Sequence, residues 1–204
     1  MEHRRLPPVT RTGDNGRTNL ASGLRVDKDS PRIEALGAVA ELNSSIGFLA
    51  SVSESEQVRR VCTLIQHDLF DLEAQIRSPG ASLLSRAHLA RLEDGFERIS
   101  SEAGMSEEVI LPGGAPAAAC AHVARAVCRR AERRLFTMTD VESGMTGVEG
   151  VTGLEDSAAH EFGLSYLNRL SDLLFVAARM ENRAAGQPDI QWERAKSLTC
   201  RPAS

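Results

Sequence analysis

The sequence has no basic surplus, no paired-cysteine motif, no glycine–lysine phosphate loop and no apolar leader. Each absence removes a class of function. Lys and Arg total 24 against 28 Asp and Glu, a net charge of −4. A nucleic-acid binder usually carries excess positive charge, so none is expected as a partner. Cys62, Cys120, Cys128 and Cys200 form no C-x-x-C pair and no zinc spacing. The first three lie within apolar helical patterns, where a free thiol behaves as a small hydrophobe. No h-region of a signal peptide is present, and no run reads as long enough to span a bilayer. Arg4 and Arg5 make too short a basic stretch for a persuasive presequence. The expectation is a cytoplasmic protein in a reducing compartment, with no membrane partner.

What is there is helix. The 204 residues are 42% hydrophobic, enough for one domain with a buried core. Residues 1–29 lack a sustained period and read as a glycine-bearing loop segment. Ser30 and Pro31 mark a helix start, with Ser30 placed to cap. Ile33, Leu36, Val39, Leu42, Ile46 and Leu49 follow at helical spacing. Val58 to Ile76 gives a second helix, ended by Pro79–Gly80. Leu89, Leu92, Phe96 and Ile99 give a third, closed by Gly104. A turn at Ile110–Gly114 leads to a fourth, from about Pro116 to Phe136, with Cys120, Val123, Val127 and Leu135 as its stripe. Residues 137–153 read as a flexible connector. A fifth carries Leu164 to Met180, stopped by Gly186 and Pro188. Strand alternation and internal repeats are not seen. The fold class is all-α, a five-helix antiparallel bundle over 30–192, with 193–204 as a tail.

Three segments carry chemistry. In Thr10-Arg11-Thr12-Gly13-Asp14-Asn15-Gly16-Arg17-Thr18, glycines allow backbone N–H groups to converge as they do around phosphate. Taken by itself, the stretch reads better as a plain surface loop. On the fourth helix, Arg125, Arg129 and Arg133 share a face at i,i+4 spacing, beside Glu132. Such a stripe holds an anion bidentately, or forms a salt-bridged solvent face. On the fifth, Asn168, Asp172 and Phe175 form a polar-plus-aromatic edge opposite the leucine stripe. Packing roles for Asn168 and Phe175 are the alternative.

These segments occur with Arg25-Val26-Asp27-Lys28-Asp29-Ser30-Pro31-Arg32, Glu41-Leu42-Asn43-Ser44 and Ile110-Leu111-Pro112-Gly113-Gly114. Together, over about Thr10 to Trp192, they resemble the PduO-type ATP:corrinoid adenosyltransferases. The resemblance implies a homotrimeric bundle with ATP held between subunits. It assigns ATP contacts to Thr10, Arg11, Thr12, Gly13, Thr18, Asn19 and Lys28. From the helices it adds Arg129, Arg130, Glu132, Arg133 and Asn168. Arg125, Arg129 and Asp172 stand as catalytic, and Val109, Arg125 and Phe175 face the corrinoid. Pro188, Asp189 and Trp192 match a tail that covers it. Magnesium accompanies ATP, near Glu132, without a certain protein site, and a flavin-type reductase would supply electrons. Cobalt(I) would attack C5′ in line, so no triad or general base is expected.

Some residues depart from the family pattern. Ala40 stands where the family has an Asp that pairs with the arginine matching Arg125 across the subunit interface. Val109 stands where many members have Phe, which predicts weaker exclusion of water and of the cobalt's lower ligand. Glu73 replaces a frequent Gly, Asn15 a charged residue, and the 137–153 connector looks long. These changes spare the ATP half and bear on the corrinoid half. The alternative reading is a catalytically weak paralogue that binds ATP or corrinoid as a sensor, carrier or assembly partner.

Overall fold

The computed structural model describes residues 11–21, 23–78, 81–104, 109–145 and 154–199. A hairpin opens it: β1 (Arg17–Asn19) and β2 (Arg25–Asp27) pair antiparallel, with Thr18 opposite Val26. This corrects the expectation of no strands. Each strand is only three residues long, too short to show a period of two in sequence. Then come α1 (Pro31–Val52), α2 (Glu56–Arg77), α3 (Arg86–Ala103), α4 (Pro116–Met145), α5 (Leu154–Ala184) and the single turn α6 (Lys196–Thr199). The five long helices form the expected bundle. α4 packs on α1 and α5, α1 on α2, and α3 on α5. No helix packs extensively against the hairpin.

Helix starts obey local chemistry. Pro31 fills the first helical position of α1, where its missing N–H costs nothing. Ser30 sits at the N-cap, but its Oγ is buried without a partner rather than capping. Ser55 does cap α2, accepting from the Val58 amide at 3.3 Å. Gly104 ends α3 at φ 77°, a conformation suited to glycine. The expected stop at Pro79–Gly80 lies outside the described residues.

The core is aliphatic. Leu42, Ile46 and Leu49 of α1 meet Ile65, Leu69 and Leu72 of α2, all essentially fully buried. On α4 the inner edge is Ala117, Ala121, Ala124, Cys128, Ala131, Leu135 and Met138, at alternating steps of four and three. That seam corrects the expected stripe. Val123 is 60% exposed, and Cys120 and Val127 are only half-buried. Small side chains let neighbouring backbones approach closely, so alanines rather than the larger apolar residues face the core. Burial, then nearby Glu181, pushes the Cys62 thiol up to about 12, and burial raises Cys128 further, so both thiols are inert packing groups.

α4 also outruns its expected end at Phe136, reaching Met145. Arg32 accounts for part of this. Its Nε and Nη2 donate to the Glu142 carboxylate at 2.8 and 2.6 Å, and its Nη1 donates to the Ile76 carbonyl. One guanidinium thus ties the end of α4 to the start of α1 and the end of α2. Residues 146–153 of the expected connector lie outside the described residues. By length and composition α1 could cross a membrane, contrary to the expectation of no such run. Its apolar face is instead buried against α2 and α4.

One buried polar cluster joins three helices. The Tyr166 hydroxyl donates to Asp68 Oδ2 at 2.7 Å, and Arg91 pairs with the same oxygen. Burial and then the Asp68 carboxylate hold the Tyr166 phenol well above its usual 10.0. Tyr166→Phe is expected to cost about 1 kcal/mol, and Asp68→Ala about 3–5 kcal/mol because Arg91 and Tyr166 both lose their acceptor. Urea unfolding measures both. A Tyr166→Phe protein as stable as the parent would mean that Asp68 does not hold the hydroxyl.

Candidate functional site

The N-terminal loop is shaped by two left-handed residues, Arg11 (φ 55°) and Gly16 (φ 79°). Its amides turn inward: Asp14 donates to the Arg11 carbonyl and Gly16 to the Gly13 carbonyl. The Arg25 guanidinium braces it, donating to the Thr12 carbonyl at 2.8 Å and to Asn15 Oδ1 at 3.0 Å. Gly13 and Lys28 are close: a Cβ on Gly13 would stand 3.1 Å from Lys28 Nζ, so the lysine end would have to shift slightly. The fold therefore brings Lys28 onto Gly13, with Thr18 and Asn19 next along the chain in β1. Thr10 lies outside the described residues.

The arginines of α4 divide into two sets. Arg130 pairs with Glu41 of α1, and Arg134 lies 3.5 Å from Glu34. Their charge is met within the chain. Arg133 only donates to the Arg129 carbonyl at 2.9 Å. Among the described residues neither Arg129 nor Arg133 has an ion-pair partner. Two exposed guanidiniums one turn apart, without a carboxylate, leave a local positive field for an anion. Beside them Asn168 of α5 donates to Glu132 Oε1 at 3.1 Å, and Arg169 donates to Asn168 Oδ1. Asn168 and Glu132 are thus joined across α4 and α5. Asp172 is exposed and lines a cleft of about 320 Å³ with Leu92, Glu93, Phe96 and Arg169. The structure turns it toward α3, with no hydrogen bond to Arg125 or Arg129.

One turn before Arg129 the surface changes character. The Arg125 guanidinium carbon lies 5.4 Å from the Phe175 ring centroid, a cation–π contact. His122 meets the same ring edge-on, at 6.3 Å and 67°. Arg125 Nε and His122 Nε2 are buried and without hydrogen-bond partners. His122 carried no motif signal; its position one turn before Arg125 was the only available cue. Beside this group the tail returns. The Leu111 amide donates to the Ile190 carbonyl and the Trp192 amide to the Val109 carbonyl, both at 2.8 Å. Val109 is 65% and Trp192 53% exposed.

The structure thus joins Arg125 with Phe175, Glu132 with Asn168, and Gly13 with Lys28. It does not join the loop to the arginine stripe within one chain. Among the described residues no group of three or more His, Cys, Asp or Glu could hold a metal ion.

Fold and site together define a helical bundle with two arginines that have no carboxylate partner among the described residues, set one and two turns from the Arg125–Phe175 contact. The profile described as cobalamin adenosyltransferase matches residues 8–181. The chain is 44% identical over 197 residues to a cobalamin adenosyltransferase of Cupriavidus metallidurans, covering 96% of this chain and 99% of that one. It is 37% identical over 193 residues to a corrinoid adenosyltransferase of Bacillus subtilis, covering 91% and 92%. A solved variant of the PduO-type ATP:corrinoid adenosyltransferase from Lactobacillus reuteri, complexed with cobalamin and ATP, superposes with a TM-score of 0.74 at 29% identity. That match covers 91% of this chain and 99% of that one. The chain therefore belongs to the cobalamin adenosyltransferase family.

His122 supplies a pH test. Burial first, and then the Arg125 charge, lower its pKa from 6.5, while Asp189 opposes them. The folded state thus favours neutral imidazole. Its contribution to stability is fully present above 6.5 and is lost as pH falls toward the lower folded value. The melting temperature should drop between pH 7.5 and 5.5 by more in the parent than in His122→Gln. Parallel drops would mean that His122 titrates alike in both states.

Proposed function

We propose that this chain transfers the 5′-deoxyadenosyl group of ATP to cobalt(I) of a corrinoid, releasing triphosphate. The carrying observation is the order of groups along α4. Unpaired Arg129 and Arg133 lie one and two turns beyond Arg125, which packs on Phe175. A helical turn advances about 5.4 Å, so an anionic leaving group and an apolar reactant would lie side by side. The relatives' names and the cobalamin and ATP held by the Lactobacillus reuteri protein support the same pairing.

The division of labour comes from the chemistry. Cobalt(I) gives its electron pair to C5′, and the C5′–O bond breaks with its pair leaving on triphosphate. No proton moves in that step, so charge stabilisation and alignment carry it. Arg129 and Arg133 brace the triphosphate, with Thr10, Arg11, Thr12, Gly13, Thr18, Asn19 and Lys28 around the nucleotide. Arg130 contributes from the α1 flank, where Glu41 holds it. Glu132, which accepts from Asn168 Nδ2 at 3.1 Å, would be the residue to hold magnesium beside ATP, through water, and the ion would neutralise phosphate charge there. Arg125 and Asp172 border the reacting centre, and Phe175 and Val109 exclude water from the corrinoid. Residues 1–29 serve as the nucleotide arm and 30–192 as the catalytic bundle.

A second copy would bring the arm to the stripe, since among the described residues the β1–β2 hairpin makes no extensive contact with the helices of its own chain. A homotrimer fits that arrangement. The Glu41–Arg130 register of antiparallel α1 and α4 sets exposed Phe48 level with exposed Val123, an apolar strip suited to a neighbour. Exposed Ala40 lies on the same helix beside Glu41. The setting is cytoplasmic, with a flavin-type reductase as electron donor.

Anaerobic incubation with chemically reduced cob(I)alamin, ATP and magnesium tests the reading through the visible spectrum of the cobalt–carbon product. ATP binding without product would favour the weak-paralogue alternative, for which Ala40 and Val109 speak. Arg129→Lys should lower kcat by about tenfold or more, since one lost fork contact is worth about 1.4 kcal/mol in the transition state. Unchanged kcat would remove Arg129 from that role. Ala40→Asp should improve corrinoid KM by about two- to fivefold, the worth of a modest ion pair to Arg125. No improvement would mean that another group already meets Arg125.

A further inference from the structure

A carboxylate helps fasten the last part of the chain to α5. After α5 ends, Gly186 turns at φ 65° and the Gln187 amide returns to the Asn182 carbonyl at 2.8 Å. Asp189 then docks back on the helix. Its Oδ2 accepts from Arg179 Nε at 2.8 Å and its Oδ1 from Asn182 Nδ2 at 2.9 Å. Both charged side chains are largely buried, 11% exposed for Arg179 and 19% for Asp189. Asn182 is itself 3% exposed and reaches a third segment, accepting from the Ala115 amide at 2.9 Å. Contact there is so close that a Cβ on Gly114 (φ 101°) would fall 2.1 Å from Asn182 Oδ1. The end of α5, the tail and the turn opening α4 therefore meet at this clamp.

The clamp orders the residues beyond it. Ile110 and Gln191 pair antiparallel, so Val109 stands opposite Trp192 and Leu111 opposite Ile190. Side chains alternate along a strand, and directly opposed residues share a face. Val109, Leu111, Ile190 and Trp192 therefore project from one side of a two-stranded ribbon. All four are between 44% and 65% exposed. Two backbone hydrogen bonds are too few to hold such a ribbon in water. The Asp189 clamp supplies the missing restraint. Asp189 also sits near His122, the ring that abuts Phe175.

We propose that Asp189 is a positioning residue for the corrinoid: clamped by Arg179 and Asn182, it fixes the ribbon so that its apolar face forms a wall continuous with Phe175. This rests on the adenosyltransferase reading of the site. Asp189 touches no reactant. It acts through the ribbon, so corrinoid capture depends on it and nucleotide capture does not.

Trp192, the sole tryptophan, reports on the ribbon directly. In Asp189→Ala, with no ligand present, acrylamide should quench Trp192 fluorescence more strongly than in the parent. In the cob(I)alamin assay the same variant should raise corrinoid KM by about tenfold, with ATP KM within about twofold and kcat less affected. Asp189→Asn keeps an acceptor for Asn182 and should fall between. Arg179→Gln opens the clamp from the other side and should match Asp189→Ala, which covers failure of either variant to fold. Unchanged acrylamide quenching, unchanged corrinoid KM, or corrinoid and ATP KM rising together would each overturn the proposal. Failure of the parent enzyme to form product would instead sink the functional reading, while Trp192 quenching would still report on the clamp.

Discussion

The alanine seam of α4 is the constraint on which the rest depends. Ala117, Ala121, Ala124, Cys128 and Ala131 keep its inner edge narrow, so that α1 and α5 both pack closely on one helix. Because the inner edge is taken up by small groups, the long side chains of α4 are displaced to its flanks. One flank carries Arg130 and Arg134, matched by glutamates of α1. Another carries His122 and Arg125 against Phe175, and Glu132 against Asn168. A bulkier seam would push α5 outward and separate these pairs together. The site is thus a consequence of core packing rather than an addition to it.

Electrostatics then sorts the arginines by partner. Arg32 has a carboxylate and fastens helix ends, and Arg91 has one and joins α3 to the middle of α2. Arg179 has one and fastens the tail. Arg129 and Arg133 have none among the described residues, and they are the pair beside Asn168 and Glu132. Charge that is satisfied builds the scaffold, while Arg129 and Arg133 leave a local positive field on α4. The excess is local, which is how a chain of net charge −4 presents an anion site.

The long helices were legible because their apolar periods are strong: α1 begins at Pro31 as its sequence requires, and α3 ends at Gly104. The α4 seam was not, because a period argument tracks Val123 and Val127 while the packed edge is alanine. The far end of α4 was hidden for a different reason, since Glu142 is held by Arg32, 110 residues earlier. The hairpin escaped notice because three-residue strands carry no period. Within the site, the arginine stripe and Asn168 could be read from spacing, but which arginines lack partners could not, since that depends on Glu34 and Glu41 across the helix pair. The contact of His122 with Phe175 and the Arg179–Asp189–Asn182 clamp depend on the chain folding back, so spacing places His122 one turn before Arg125 but does not supply their partners.

The two halves of the site differ in how much of each one chain can supply. The loop proposed to hold the nucleotide is braced within one chain: Arg25 donates to the Thr12 carbonyl and Lys28 lies over Gly13. Adjacent to the corrinoid half, Arg125 keeps a buried Nε without an acceptor, and its guanidinium faces a π surface in place of a carboxylate. A cation–π contact on a partly buried ring is worth about 0.5–2 kcal/mol, less than a hydrogen-bonded carboxylate would give there. Ala40 offers no such carboxylate, so within one chain the donor stays unmet. The apolar ribbon beside it is also open, with Trp192 and Val109 facing outward. Asp189, at the start of the ribbon, acts electrostatically on His122, which meets Phe175 beside Arg125, so the two deficits are near each other. On the proposed reading, corrinoid binding there would remove exposed apolar area and shield Arg125 from water, whereas the N-terminal loop is braced by Arg25 without a ligand.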